Sequence, residues 1–396
     1  ATSQPLFHTI TATGKVMNVN IDASCALNMP QEGLAGLTGG AAIAFLVAHN
    51  LGGEVSGCTN NADVLCNAPE NPSVARAAMV GYSLAGSNIR DCVNNGNVTI
   101  DMGTHSAGTG YIGTVSGRFA SSAETNGCGI FNCKNYGALT INVISANTAN
   151  FYIGAVTGSS NSYTVTEGCE NYGKLTFNSN NSGALVCLGG ITPYSAGEIK
   201  NCINEANITF KSTAQIKGTI VAGIAPYQNG PISGCTNKGE IYMEGGTFGG
   251  RNTVGSISTS AATSSAAPTA AGIVGYGYNS SGSPFSMDNC HNYGKVTFNW
   301  FETDGSGTSG RTQVAGVIGA PWGDVTNCNN YGDLTFIAKY KTAIVNHLSY
   351  IGGIAGSDYY SKSQSESSII NCVNEGNIIN LADAVFIMQY KANPSK

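Results

Sequence analysis

NCNNYGDLTF, residues 327–336, decides how this chain is read, because it recurs. Alone it resembles chemistry: a thiol, Cys328, among asparagines and a tyrosine, ahead of a short alternating run. Close copies are DNCHNYGKVTF at 288, EGCENYGKLTF at 167 and FNCKNYGALTI at 131. Looser ones are SGCTNNADV at 56, RDCVNNGNVTI at 90, KNCINEANITF at 200, SGCTNKGEIYM at 233 and INCVNEGNIIN at 370. All nine carry Asn two residues after Cys, Gly or Ala four after it, and an aliphatic residue six after it. A cysteine-free version, KVMNVNID at 15, opens the array.

A second block follows each Cys block: AGIVG at 271, AGVIG at 315 and GGIAG at 352, with GGITP at 189 and AGIAP at 222 as variants. Earlier copies are AFLVA at 44, AAMVG at 77, GTVSG at 113 and GAVTG at 154. The shortest unit is 33 residues, from Cys169 to Cys202 and from Cys202 to Cys235, and longer units are this one with insertions.

VTI, LTF, ITF and VTF put two apolar residues on one face and Thr on the other, the period of a half-buried strand. No segment sustains helical spacing. Short strands separated by Asn-Gly turn signals, repeating at a fixed period, predict an all-β right-handed parallel β-helix (β-solenoid) of about ten coils. At one strand spacing per coil the rod is roughly 45–50 Å long. Equivalent residues then form ladders. Val98, Leu139, Leu175, Ile208, Ile241, Val296, Leu334 and Ile378 make one core ladder, and Ile100, Ile141, Phe177, Phe210, Met243, Phe298 and Phe336 its neighbour. The Asn column, Asn60 to Asn374, is expected at a left-handed turn with amides bonding between coils. Residues 14–380 are assigned to the solenoid, 1–13 to an N-terminal cap or the end of an upstream segment, and 381–396 to a C-terminal cap strand and tail.

In this frame the cysteines look structural. Nine of the 13 fall at one ladder position, where a thiol behaves as a small hydrophobe. Metal binding needs paired cysteines with histidine nearby, which the spacing lacks. Cys128 and Cys133 are near enough in sequence for a local disulfide. No cofactor is expected.

Composition excludes further classes. Charged residues are 10% and glycines number 53, so polarity comes from Asn, Ser, Thr and Gly. A net charge of −5 offers no basic face for nucleic acid. No apolar run approaches the ~18 residues of a membrane-spanning helix. ATSQPLFHTI at the start reads as the result of processing, with targeting information removed.

Paired NCxNxG and GGIxG blocks over residues 14–380 resemble the GLUG-type repeats of large surface proteins from gut and oral bacteria, including Bacteroidetes lipoproteins and adhesin-like proteins. The resemblance implies an extracellular protein of the bacterial cell surface, in the manner of an outer-membrane lipoprotein, with no specific ligand attached. The first block is degenerate, AFLVA replaces a Gly-rich second block, and several insertions are long.

Those irregularities are where individual function is sought. Three consecutive coils, after Cys235, Cys290 and Cys328, carry extra residues at the same corner, including Trp300, Glu302, Asp304 and Arg311. At another corner Tyr194, Tyr227 and Tyr276 occupy one position on successive coils, with Tyr278, Trp322, Tyr359 and Tyr360 slightly farther out. Aromatic faces along a rigid surface suit sugar rings, with polar neighbours for hydroxyls. The expected role is non-enzymatic adhesion or glycan binding, with a glycan or a host or bacterial surface component as partner. A structural stalk presenting another domain is the alternative. A polysaccharide-degrading β-helix enzyme needs clustered carboxylates, and Glu302 with Asp304 is the only tight pair in the large insertions. The Thr column (Thr99, Thr140, Thr176, Thr209, Thr297 and Thr335) also raises lattice binding, but Leu65, Tyr242 and Ile379 interrupt it.

Overall fold

The structure is a computed structural model, and the residues described are 4–29, 41–67, 73–103, 108–120, 127–143, 149–180, 185–213, 218–245, 268–278, 285–301, 311–339, 348–357 and 367–381. Among them every helical or strand element is a strand, and no helix is long and apolar enough to cross a membrane. The strands stack as a parallel β-solenoid. Three sheets have ten strands each. Sheet 1 runs from Lys15–Met17 to Ile369–Ile370, sheet 2 from Asn20–Ile21 to Val373–Asn374, and sheet 3 from Leu27–Asn28 to Ile378–Asn380. Sheet 4 has nine strands, from Ala42–Ile43 to Leu348–Gly352. Sheet 5 is split: four strands begin with Phe7–Thr11, four more begin with Tyr194–Ser195, and single bridges at Thr157 and Ser160 span the gap. Residues 7–11, expected in a cap, are the terminal strand of sheet 5 and pair with Val47–Leu51.

Coil length is not constant. Successive ladder asparagines lie from 33 to 55 residues apart, so 33 is the minimum unit and not the typical one. Register survives because the extra residues enter at corners. Every connection from sheet 3 to sheet 4 contains residues outside the described set, and this corner includes the three long insertions read from the sequence.

Inside, the two apolar ladders are in register from Val98↔Leu139 to Leu334↔Ile378 and from Ile100↔Ile141 to Phe298↔Phe336. The second of these ladders continues to Cys66, which pairs with Ile100 and is buried. All 13 cysteines are free thiols. Cys133 is a ladder rung and Cys128 donates to the Tyr163 carbonyl, so the local disulfide between them is not formed. Burial, with neighbouring thiols added, pushes the Cys133, Cys202 and Cys290 thiols well above the usual range.

The Asn column is the polar spine. Each Nδ2 donates to the Oδ1 of the next coil, from Asn60 to Asn94 at 2.8 Å through to Asn330 and Asn374 at 2.7 Å. Its second hydrogen goes to the carbonyl two residues on, as from Asn204 to Ala206 at 2.8 Å. The left-handed turn assigned to this column lies elsewhere. Positive φ falls immediately before the cysteine, at Asp91, Asn132, Asn201, Asn289, Asn327 and Asn371, with Gly57, Gly168 and Gly234 filling the same place. Asn, Asp and Gly are the residues that tolerate that conformation, which explains the composition of the column.

The second block exists to seat this spine. A Cβ on Gly272 would lie 2.4 Å from Asn292 Cγ and 2.0 Å from the Gly316 carbonyl. Gly316 and Gly353 meet Asn330 and Asn374 in the same way. The two sequence motifs are therefore halves of one packing contact.

Candidate functional site

Alternation sends half the residues of sheets 4 and 5 outward. Along sheet 4 the outward column is Tyr111, Tyr152, Cys187, Ile220, Thr269, Gln313 and Tyr350. Along sheet 5 it is His49, Tyr82 and Arg118, then Tyr194, Tyr227 and Tyr276 after the break. Tyr152, Cys187, Ile220, Tyr227, Tyr276 and Ala320 form an apolar cluster separate from the interior core, with Tyr111, Tyr194 and Tyr278 packed at its edge. Outward side chains of consecutive sheets meet only where the corner between them is concave. This concave corner is the candidate site.

Its aromatic contacts form a seam along the rod. His8 and His49 have ring centroids 5.5 Å apart, and His49 and Tyr82 6.3 Å. The Arg118 guanidinium lies 5.7 Å from the Tyr82 ring centre and 4.5 Å from that of Tyr111. Tyr111 stacks on Tyr152 at 5.6 Å, and Tyr152 meets Tyr194 edge-on at 6.1 Å. From there Tyr194 stacks on Tyr227 at 5.1 Å, Tyr227 on Tyr278 at 6.0 Å, and Tyr278 meets Trp322 edge-on at 4.7 Å. Burial, then Tyr111 and Tyr278, push the Tyr194 phenol up to about 12, so it stays a neutral donor. Thr269 Oγ1 reaches Tyr276 Oη at 3.2 Å, tying the two columns together.

The residues named from sequence divide into three groups. Tyr194, Tyr227 and Tyr276 do share one column, and Tyr278 and Trp322 fold back onto it. Tyr227, Tyr276 and Trp322 are only 2%, 5% and 8% exposed, so the reading of these three as open stacking faces is corrected: their faces lie against neighbouring side chains. Tyr194 and Tyr278 remain half-buried and reach the surface. Trp300, placed by sequence in an insertion loop, belongs to the sheet 3 strand Val296–Phe301, opposite Ala338, and is 3% exposed in the interior cluster. Arg311 begins the strand Arg311–Ala315 opposite Leu348. Glu302, Asp304, Tyr359 and Tyr360 lie outside the described residues. In the Thr column Thr297 and Thr335 are buried and Thr99, Thr140, Thr176 and Thr209 half-buried.

His49, Tyr82, Tyr111, Arg118 and Tyr152 were missed. A signal existed: aligned on the second block, Tyr111, Tyr152, Cys187, Ile220, Thr269, Gln313 and Tyr350 stand at one position two residues before it. Exposed tyrosines elsewhere, Tyr136 with Tyr172 and Tyr293 with Tyr331, stack on each other at 4.8 and 4.7 Å; the Tyr172 hydroxyl donates to Glu170 and the Tyr331 hydroxyl accepts from Asn329. Comparison with protein-family models, with curated proteins and with solved structures finds no match.

Proposed function

We propose that the chain is a non-enzymatic repeat protein of a bacterial cell surface, a rigid adhesive rod whose concave aromatic seam takes glycan chains. The observation carrying this reading is that Tyr111, Tyr194 and Tyr278 rise half-exposed beside Tyr152, Tyr227, Tyr276 and Trp322, whose buried side chains hold them rigid. Rings fixed by packing lose little freedom when a ligand stacks on them. Tyr111, Tyr194 and Tyr278 stand on every second coil, about 9.6 Å apart at ~4.8 Å per coil, so they offer equivalent positions to every second sugar of an extended chain. The export and surface assignments rest on the resemblance to surface repeats and on a polarity carried by Asn, Ser and Thr.

A spacer role is the second reading. Burial of Tyr227, Tyr276 and Trp322 and the mutual stacking of the exposed tyrosines favour it, since these rings serve the fold first. Bacteria or beads displaying the chain separate the two in an adhesion assay on glycan-coated surfaces. Adhesion through the seam requires that Tyr194→Ala with Tyr278→Ala reduce attachment about tenfold while Tyr136→Ala does not. Attachment indifferent to both, or none at all, leaves the spacer.

A further inference from the structure

Arg118 stands out in the seam. Its guanidinium lies against two rings of that corner, half-buried between Tyr82 and Tyr111. Its contacts are these two rings, and no carboxylate of the described residues pairs with it. Its Nε is shut off from solvent without a hydrogen-bond partner. On the next coil Phe119 bridges Ser160 and the Phe119 N–H donates to the Ser159 carbonyl, which sets Ser159 beside Arg118 in the column. Ser159 is 1% exposed, and its hydroxyl also lacks a partner. Two donors without acceptors, carried by residues one coil apart, are costly unless something accepts from them.

We propose that Arg118 and Ser159 form an anion subsite of the seam for the carboxylate of an acidic sugar, so that the glycan bound is a uronic-acid-containing chain. This rests on the glycan reading above and adds its charge. A planar carboxylate matches the guanidinium fork, and a hydroxyl beside it serves the second oxygen. Half-exposed Tyr111, beside the cation and held by stacking on Tyr152, offers its open edge to the adjoining neutral sugar. An alternating acidic and neutral polymer satisfies both features, whereas an isolated small anion uses only the first.

The test is calorimetric titration of the full chain with hyaluronan tetrasaccharide, with its carboxyl methyl ester, and with chitotetraose, at low salt. Inorganic sulfate is added as competitor. The expected result is binding of the acid form at least about tenfold tighter than its ester, with that preference lost in Arg118→Gln. Arg118→Lys keeps the charge, loses the fork, and should retain part of the preference. Equal binding of acid and ester by the wild type overturns the subsite and leaves the glycan reading standing. Binding of none of the saccharides overturns both. Displacement of the acid form by sulfate at comparable concentration makes the site a general anion cradle and also overturns the proposal. The acid-to-ester comparison needs no variant, so it stands even where a substitution impairs folding.

Discussion

Replacing one central rung of the Asn spine tests how the rod is held together. Asn204 accepts from Asn171 Nδ2 at 2.7 Å, donates to Asn237 Oδ1 at 2.7 Å and donates to the Ala206 carbonyl at 2.8 Å, all buried. Asn204→Leu keeps the approximate volume and removes all three bonds. It leaves a buried amide hydrogen on Asn171 and two buried oxygens without partners. At about 1–2 kcal/mol for each orphaned group, the expected loss is roughly 3–6 kcal/mol. Asn374, the last rung, is the control. It is exposed, and Asn374→Leu removes the bond from Asn330 at 2.7 Å where water can replace it, so about 1 kcal/mol or less is expected. Urea unfolding followed by circular dichroism measures both, with the m-value checking that the same surface is exposed. An Asn204→Leu chain within 1 kcal/mol of wild type, or equal losses at the two positions, would refute a spine made of mutually dependent amides.

Other consequences can be measured directly. Gly272→Ala places a methyl against Asn292 and the Gly316 carbonyl, so it should destabilise by about 2 kcal/mol or more, visible as a lowered melting temperature. Thiol titration of the native chain should label Cys25, the exposed one, promptly, and the buried rungs only on unfolding. Burial raises the folded-state pKa of Cys133, Cys187, Cys202 and Cys290, so their contribution to stability is complete below the unfolded thiol value and is lost as pH rises above it. Stability should therefore fall above about pH 8.5 by up to roughly 1.4 kcal/mol per thiol per pH unit, and a flat profile to pH 10 would contradict buried reduced rungs. Excising residues 202–234, one minimum coil, should leave a folded chain shorter by about 4.8 Å in small-angle scattering.

Much of this was legible because a solenoid turns sequence period into spatial neighbourhood. Cys328, Asn330, Leu334 and Phe336 each face a partner predicted by counting from the cysteine. What escaped was the part that counting does not reach. The left-handed turn sits before the cysteine, because Asn330 lies within a strand and directs its amide along the spine. Trp300 seemed to begin a loop, since nothing in NWFETD marks where the strand stops, yet its rung faces Ala338 and Gly245, small enough to admit an indole. The seam escaped for a different reason. Arg118 and Tyr111 flank one second block but lie in different sheets, and only the concave corner joins them.

The most direct measurement is titration of immobilised glycans with the wild-type chain beside Tyr194→Ala with Tyr278→Ala, the two seam rings nearest solvent at its C-terminal end. Adhesion through the seam predicts saturable wild-type binding that weakens at least about tenfold in the variant, with the melting temperature held within a few degrees. Undiminished binding by the variant, or no glycan bound by the wild type at all, would contradict it.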